Sequence, residues 1–268
     1  MIGVAFRKSP GMPAIWHSAK KATLSYAGNC ASDSREVPYT MNKRSKPQKK
    51  GNPQEPWQPE LPDEFDNRLT ELPEPIDDDA DYTGFALADA TFDEMAATGI
   101  SFREIHFQQC AMARTTFHRP EFADIRLDSC SLASADWEKG SLSRIEINDC
   151  GMVGFRLFDA TADDLLVRGS NCEMAYFWKT RFHRARFERC MLRRASFEGC
   201  DLSGIVFSEC DLSGADFRGT KLAGTDFRGS RINGINVGIL DLRGAIISPD
   251  QAAELVGLLG VVIKWDDE

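Results

Sequence analysis

The chain has 268 residues, 42% of them hydrophobic and 27% charged, with a formal net charge of −9. The excess of 41 acidic over 32 basic residues argues against a general binder of nucleic acid or of an acidic membrane surface. No window approaches 18 consecutive apolar residues, and the opening MIGVAFRKSPGMPAIW lacks the apolar core of a secretion signal. The expected location is the cytoplasm, where the eight cysteines stay reduced.

Residues 1–80 hold 10 of the 12 prolines. They carry a basic run (Lys43, Arg44, Lys46, Lys49, Lys50) and then the Pro/acid-rich stretch PQEPWQPELPDEFDNRLTELPEPIDDDAD. Such a segment buries too little apolar surface to offset its ordering entropy. It is expected to be disordered, with at most a helical turn near Asp63–Leu69. The basic run suits either a solvated tail or contact with nucleic acid or acidic lipid. Met41 begins a stretch that reads as an ordinary polar N-terminus, so residues 1–40 are expected to lie upstream of the true start.

From Tyr82 the sequence repeats with a period of five. All 34 residues at every fifth position from Tyr82 to Ile247 are apolar, and 12 of the 17 phenylalanines fall on this register. At the background composition, chance gives such a run a probability on the order of 10⁻¹³. The position two before each centre is mostly Ala, Cys, Ile, Thr or Ser. Neither the helix nor the strand has this period. It requires a five-residue unit with one large and one small inward side chain, and four units close a square coil of 20 residues. Coils stack through backbone hydrogen bonds at about 4.8 Å, and about eight of them make a rod of roughly 40 Å. Glycine two after the centre (Gly199, Gly204, Gly214, Gly219, Gly224, Gly229, Gly234, Gly244) suits a turn at φ > 0.

Units such as CDLSG, ADFRG, TKLAG and TDFRG resemble the pentapeptide-repeat family, pattern A(D/N)LXX. The resemblance implies an all-β solenoid, the family's right-handed quadrilateral β-helix, over residues 82–247. It is closest in 195–247. Residues 86–180 depart more, and their coils are expected to be less regular.

The expected organisation is a tail (1–80), a β-helix (81–248) and a helix–strand cap (249–268). Ser248-Pro249-Asp250-Gln251 reads as an N-cap, a proline in the first turn and a capping-box glutamine. Ala252–Leu259 then reads as a short apolar helix stopped by Gly260, and Val261–Ile263 as a strand. The run DLRGAIISPDQAAELVGLLGVVI is similar to the C-terminal tail of the Qnr quinolone-resistance group of the same family. That resemblance implies a homodimer through Leu255, Leu258, Leu259, Val261, Val262 and Ile263. A helix folded only on its own rod is the alternative.

Chemistry is sparse. Cys110, Cys130, Cys150, Cys190, Cys200 and Cys210 occupy the inward small position, and five of them stack in one column interrupted at Ser170. Cysteine there reads as small core filler rather than as a metal or redox column, because no Cys-x-x-Cys occurs and His106, His118 and His183 point outward on different faces. No nucleophile–base set and no phosphate-binding loop can be placed, so neither enzyme activity nor a cofactor is expected.

The outer surface is uneven in charge. Residues 81–178 carry 16 acidic and 8 basic residues, and residues 179–248 carry 8 acidic and 12 basic. Lys179, Arg181, Arg184, Arg186, Arg189, Arg193 and Arg194 map to a belt around one coil, either an ion-paired surface or a site for an anionic partner. Phe158 and Trp178 are outward on adjacent coils, with Tyr176 and Met174 beside them. They form a candidate partner patch, or a seat for Trp57 or Phe65 of the tail. The expected function is a non-enzymatic protein-interaction rod, without direct nucleic-acid or membrane binding. The Qnr resemblance implies the alternative, a DNA mimic that binds DNA gyrase or topoisomerase IV and protects it from quinolones.

Overall fold

A computed structural model describes residues 55–63, 77–257 and 261 of the chain. The main body is a parallel β-solenoid whose coils repeat every 20 residues. One column of register partners runs Asp81, Ser101, Glu121, Ser141, Thr161, Arg181, Asp201, Lys221. Three further columns begin at Ala86, Thr91 and Ala96. These are the four faces that a five-residue unit and a 20-residue coil demand. Two faces share one sheet, because Ser101–Gln108, Glu121–Asp128, Ser141–Asn148 and Thr161–Arg168 each run on through a corner, where the register skips only Glu104, Asp124, Arg144 and Asp164. A third face is the sheet of Ala96–Thr98, Thr116–His118, Asp136–Glu138, Arg156–Phe158 and Tyr176–Trp178. The fourth is held by single bridges such as Ala111↔Ser131 and Gly151↔Asn171.

The centres fill the interior as stacked columns. Phe187, Phe197, Phe207, Phe217 and Phe227 are all at most 1% exposed. Successive coils stack their rings nearly parallel, and neighbouring faces meet edge to face. The small inward position has a task beyond its size. Its hydroxyl or thiol donates to the carbonyl of the centre residue one coil earlier: Thr180 to Leu157 (3.0 Å), Thr220 to Phe197 (2.7 Å), Ser230 to Phe207 (3.1 Å), Cys200 to Phe177 (3.2 Å). The hydroxyl or thiol thus buries its own polar atom with an acceptor, in the Phe197 case one that also takes the Cys200 amide, so Cys, Thr and Ser can share the position with Ala.

The corners follow one rule. Every fifth residue from Asp79 through Gly234 lies at φ between 50° and 78°, and twenty-one of the residues at positive φ are not glycine. The glycines anticipated as turns are thus a minority form of a corner that Arg, Asp and Glu also occupy.

Three expectations change. The coils of 101–168 are not less regular than the later ones. They hold the four eight-residue strands, in which Ile105, Ile125, Ile145 and Leu165 pair as one buried column of larger inward side chains next to the corner. The period of five does not run evenly to Ile247. It holds through Val237, after which turns follow and Leu240, at a nominally inward position, is 78% exposed. The helix runs Pro249–Val256, with Gly257 as C-cap instead of Gly260. Its capping box is formed as read, and Gln251 donates to the carbonyls of Phe227 and Ser230 at 2.7 Å, tying the helix to the last coils. Residues 258–260 and 262–268 lie outside the described residues, as do Cys30, Met41, the basic run, Phe65 and the remainder of the turn proposed at Asp63–Leu69.

Candidate functional site

The outer face brings the predicted aromatic residues together. Phe158 and Tyr176 meet edge to face at 5.4 Å between centroids, and Phe158 and Trp178 at 6.4 Å. All three are half-buried, and Met174 beside them is 51% exposed. Two cations flank the rings: Arg156 Cζ stands 4.7 Å from the Phe158 centroid, and Lys179 Nζ 4.1 Å from that of Trp178. The result is a compact aromatic surface with a positive rim, able to stack on a partner's rings or cationic side chains and to pair with its carboxylates.

The belt resolves into two kinds of cation. Arg184 pairs with Asp164, Arg186 with Glu188 at 2.5 Å, and Arg193 with Asp211 at 2.7 Å, while Lys179 is engaged by Trp178. Among the described residues, Arg181, Arg189 and Arg194 form no ion pair. Lys179, Arg184, Arg189 and Arg194 all sit at positive-φ corners, so the belt rings the rod instead of lining one side.

The histidines are dispersed: His106 pairs with Asp128, His118 with Glu138 and His183 with Asp163. Among the described residues, seven cysteines are buried and unpaired, and burial pushes the Cys200 thiol up to about 12. Among the described residues, no group of three or more His, Cys, Asp or Glu is arranged to hold a metal, and no helix is long and apolar enough to cross a membrane.

At the C-terminal end an apolar groove is lined by residues that include Ile239, Leu240, Leu242, Ile247, Leu255 and Val256. Of the residues anticipated for the cap contact, Leu255 packs against the core and Val261 is 51% exposed, while Leu258, Leu259, Val262 and Ile263 lie outside the described residues. Ile239 and Leu240 were not anticipated, because their register assigns them to a corner and to the interior.

One surface was missed in the sequence. Down a single corner, Asp124, Arg144, Asp164 and Arg184 alternate in sign at successive coils. Arg144 holds Asp124 with two bonds of 2.5 Å, and Arg184 holds Asp164 with bonds of 2.5 and 2.6 Å. Asp124 and Asp164 are only 7% and 3% exposed. The Asp164 carboxylate raises the Arg184 pKa above its ordinary value. Residues 55–63, inside the stretch expected to be disordered, lie along this corner. The Trp57 amide donates to Asp164 Oδ1 (3.1 Å), the Glu60 amide to Asp124 Oδ1 (2.9 Å), and the Trp57 ring lies 5.2 Å from Arg184 Cζ. Trp57 therefore seats on the charge ladder, not on the Phe158–Trp178 patch. Only the 20-residue spacing of the four ladder residues could have signalled it.

Residues 177–251 match the family profile described as a pentapeptide repeat region. Over that stretch the rod is similar to the pentapeptide-repeat family. Its positive-φ corners continue in the same register back to Asp79. Solved structures similar to the chain include QnrB1, a plasmid-mediated fluoroquinolone resistance protein (TM-score 0.31, 20% identity, covering 68% of this chain and 100% of that one). They also include HetL, a pentapeptide repeat protein involved in heterocyst differentiation regulation from the cyanobacterium Nostoc (TM-score 0.29, 14% identity, covering 63% and 85%). Another is the pentapeptide repeat protein Rfr23 from the cyanobacterium Cyanothece (TM-score 0.26, 13% identity, covering 46% and 91%). No curated protein matches the sequence.

Proposed function

We propose that the protein is a non-enzymatic interaction module, a stiff rod that binds a protein partner through the Phe158–Tyr176–Trp178 surface with Met174. The observation that carries this reading is the meeting of three aromatic rings on an outer face, flanked by Arg156 and Lys179. Clustered aromatics under a polar rim are the usual anchor of a protein interface. The rod works in the cytoplasm, a reading supported by seven unpaired cysteines. Two rods pair through the end groove at Ile239, Leu240 and Leu255, with Val261 and the following residues. The test is a full-length Phe158→Ala, Trp178→Ala variant: its circular dichroism stays that of the parent, and it loses proteins that the parent retains in pull-downs. Unchanged retention refutes the patch.

The acidic half of the rod supports a second reading, in which the protein occupies the DNA-binding surface of a type II topoisomerase and protects it from quinolones. Inhibition of gyrase supercoiling, or its rescue from a quinolone, by the purified chain would establish this reading, and the absence of both would leave the general module.

A further inference from the structure

We propose that the Asp124–Arg144–Asp164–Arg184 corner is a docking track for extended, proline-spaced peptides, and that the chain's own segment 55–63 occupies it in cis.

The argument begins with two matching intervals. Trp57 and Glu60 are three residues apart, while their acceptors Asp164 and Asp124 are two coils apart. Two coils span about 9.6 Å at strand spacing. Three residues of polyproline II span about 9.3 Å. Pro56, Pro59 and Pro62 recur at the same interval of three, which puts them on one side of a three-residue-per-turn helix. All three are half-buried, whereas Trp57, Gln58 and Glu60 are exposed. Each amide that the track accepts belongs to the residue following a proline. Proline restricts its own φ and biases the residue before it toward extended backbone, so little entropy is lost on docking.

The track is built without the segment. Each aspartate is already fixed by two bonds from the arginine one coil further on, leaving Oδ1 with further acceptor capacity. Recognition therefore rests on two backbone amides, the proline interval and the contact of one aromatic ring with Arg184; the exposed Gln58 side chain stays outside it, and the Glu60 carboxylate adds a Coulombic attraction to Arg144. A peptide in trans with the same pattern meets the same acceptors. It competes against a covalently attached segment whose effective concentration is of millimolar order.

The test uses the full chain with residues 55–63 replaced by nine Gly/Ser residues, and a fluorescent peptide of residues 55–63 titrated by anisotropy. The peptide binds this chain saturably and binds the unaltered chain at least about tenfold more weakly. N-methylation of the peptide at Trp57 or Glu60, which removes a donor and leaves the protein untouched, weakens binding by about tenfold or more, as expected for a charge-assisted bond. N-methylation at Gln58 has a smaller effect. Absence of binding to the altered chain, equal binding to both chains, or equal losses at all three positions each overturns the proposal. None of these outcomes bears on the Phe158–Trp178 surface.

Discussion

Phe197 and Phe217 lie one coil apart with ring centroids 5.2 Å from each other and planes 3° from parallel. Each is wholly buried. Truncating one leaves a void that the stacked column cannot close without moving the coils on either side. Phe197→Ala is therefore expected to cost about 3–5 kcal/mol, and Phe197→Leu a small part of that. Because coils contact only their neighbours, chemical denaturation of Phe197→Ala should lose its single transition and unfold in two steps. A single transition would show that the rod behaves as one unit.

Thr220 predicts a separation of volume from hydrogen bonding. Its hydroxyl donates to the Phe197 carbonyl at 2.7 Å. Thr220→Val keeps the shape and removes one of that carbonyl's two donors, the Cys200 amide at 3.0 Å remaining, and should cost about 1 kcal/mol in thermal or urea unfolding. Thr220→Ser should cost less than Thr220→Val. The reverse order would mean that the position selects for size alone.

The corners predict opposite signs for glycine substitutions. Gly229 has φ 77° and no atom within 4 Å of an added Cβ, so Gly229→Ala tests backbone strain without a clash and should cost about 1 kcal/mol. Arg189 sits at φ 51° and forms no ion pair among the described residues. Arg189→Gly is expected to stabilise the rod by up to about 1 kcal/mol in urea unfolding. Destabilisation by Arg189→Gly would mean that its side chain contributes more than its backbone costs.

These corners also show how far the sequence could be read. The apolar centres revealed the fold because each faces the same interior and tolerates one kind of side chain. The glycine corners from Gly199 onward were legible as turns at φ > 0, but most earlier corners were hidden, because an outward residue at positive φ can also be Asp, Arg, Lys or Ser. Leu240 was misplaced for a related reason: an apolar residue in register looks inward until the coil opens. The aromatic patch was legible, since a 20-residue spacing places Phe158 and Trp178 side by side. The seat of Trp57 was not. A proline-rich stretch reads as unable to bury enough surface, but segment 55–63 docks by backbone donors and prepaid stiffness, which apolar content does not measure.

Breaking the ladder should cost more than dismantling it. Asp164 is 3% exposed, and Arg184 supplies its two strongest bonds. Arg184→Met strands a buried carboxylate and is expected to lower stability by about 3 kcal/mol, whereas adding Asp164→Asn recovers most of that loss. Equal stability of the single and double variants would place the cost in lost packing of the Arg184 stem.

Acid should weaken the later coils through Asp211. Its burial opposes ionisation, but donors from Ser213 and the Arg193 guanidinium outweigh that and hold the pKa down to about 2, from an ordinary 3.8. The folded value is the lower one, so this contribution is complete above about pH 4 and is lost as pH falls toward 2. Asp211→Asn should flatten the pH dependence of stability in that window. An unchanged slope would assign the effect to other carboxylates.

The distribution of corner residues sets a direction for assembly. Glycine dominates the corners from Gly199 onward, and charged or polar residues dominate those before it. Winding the chain into a coil thus asks less of the C-terminal coils than of the N-terminal ones. Folding that nucleates beneath the capping helix and advances toward Asp79 would complete the ladder between Asp124 and Arg184 only late. The rod's own order of winding would then time when its peptide track opens to any occupant, and pulse-labelled hydrogen exchange should find Phe217 protected before Phe122.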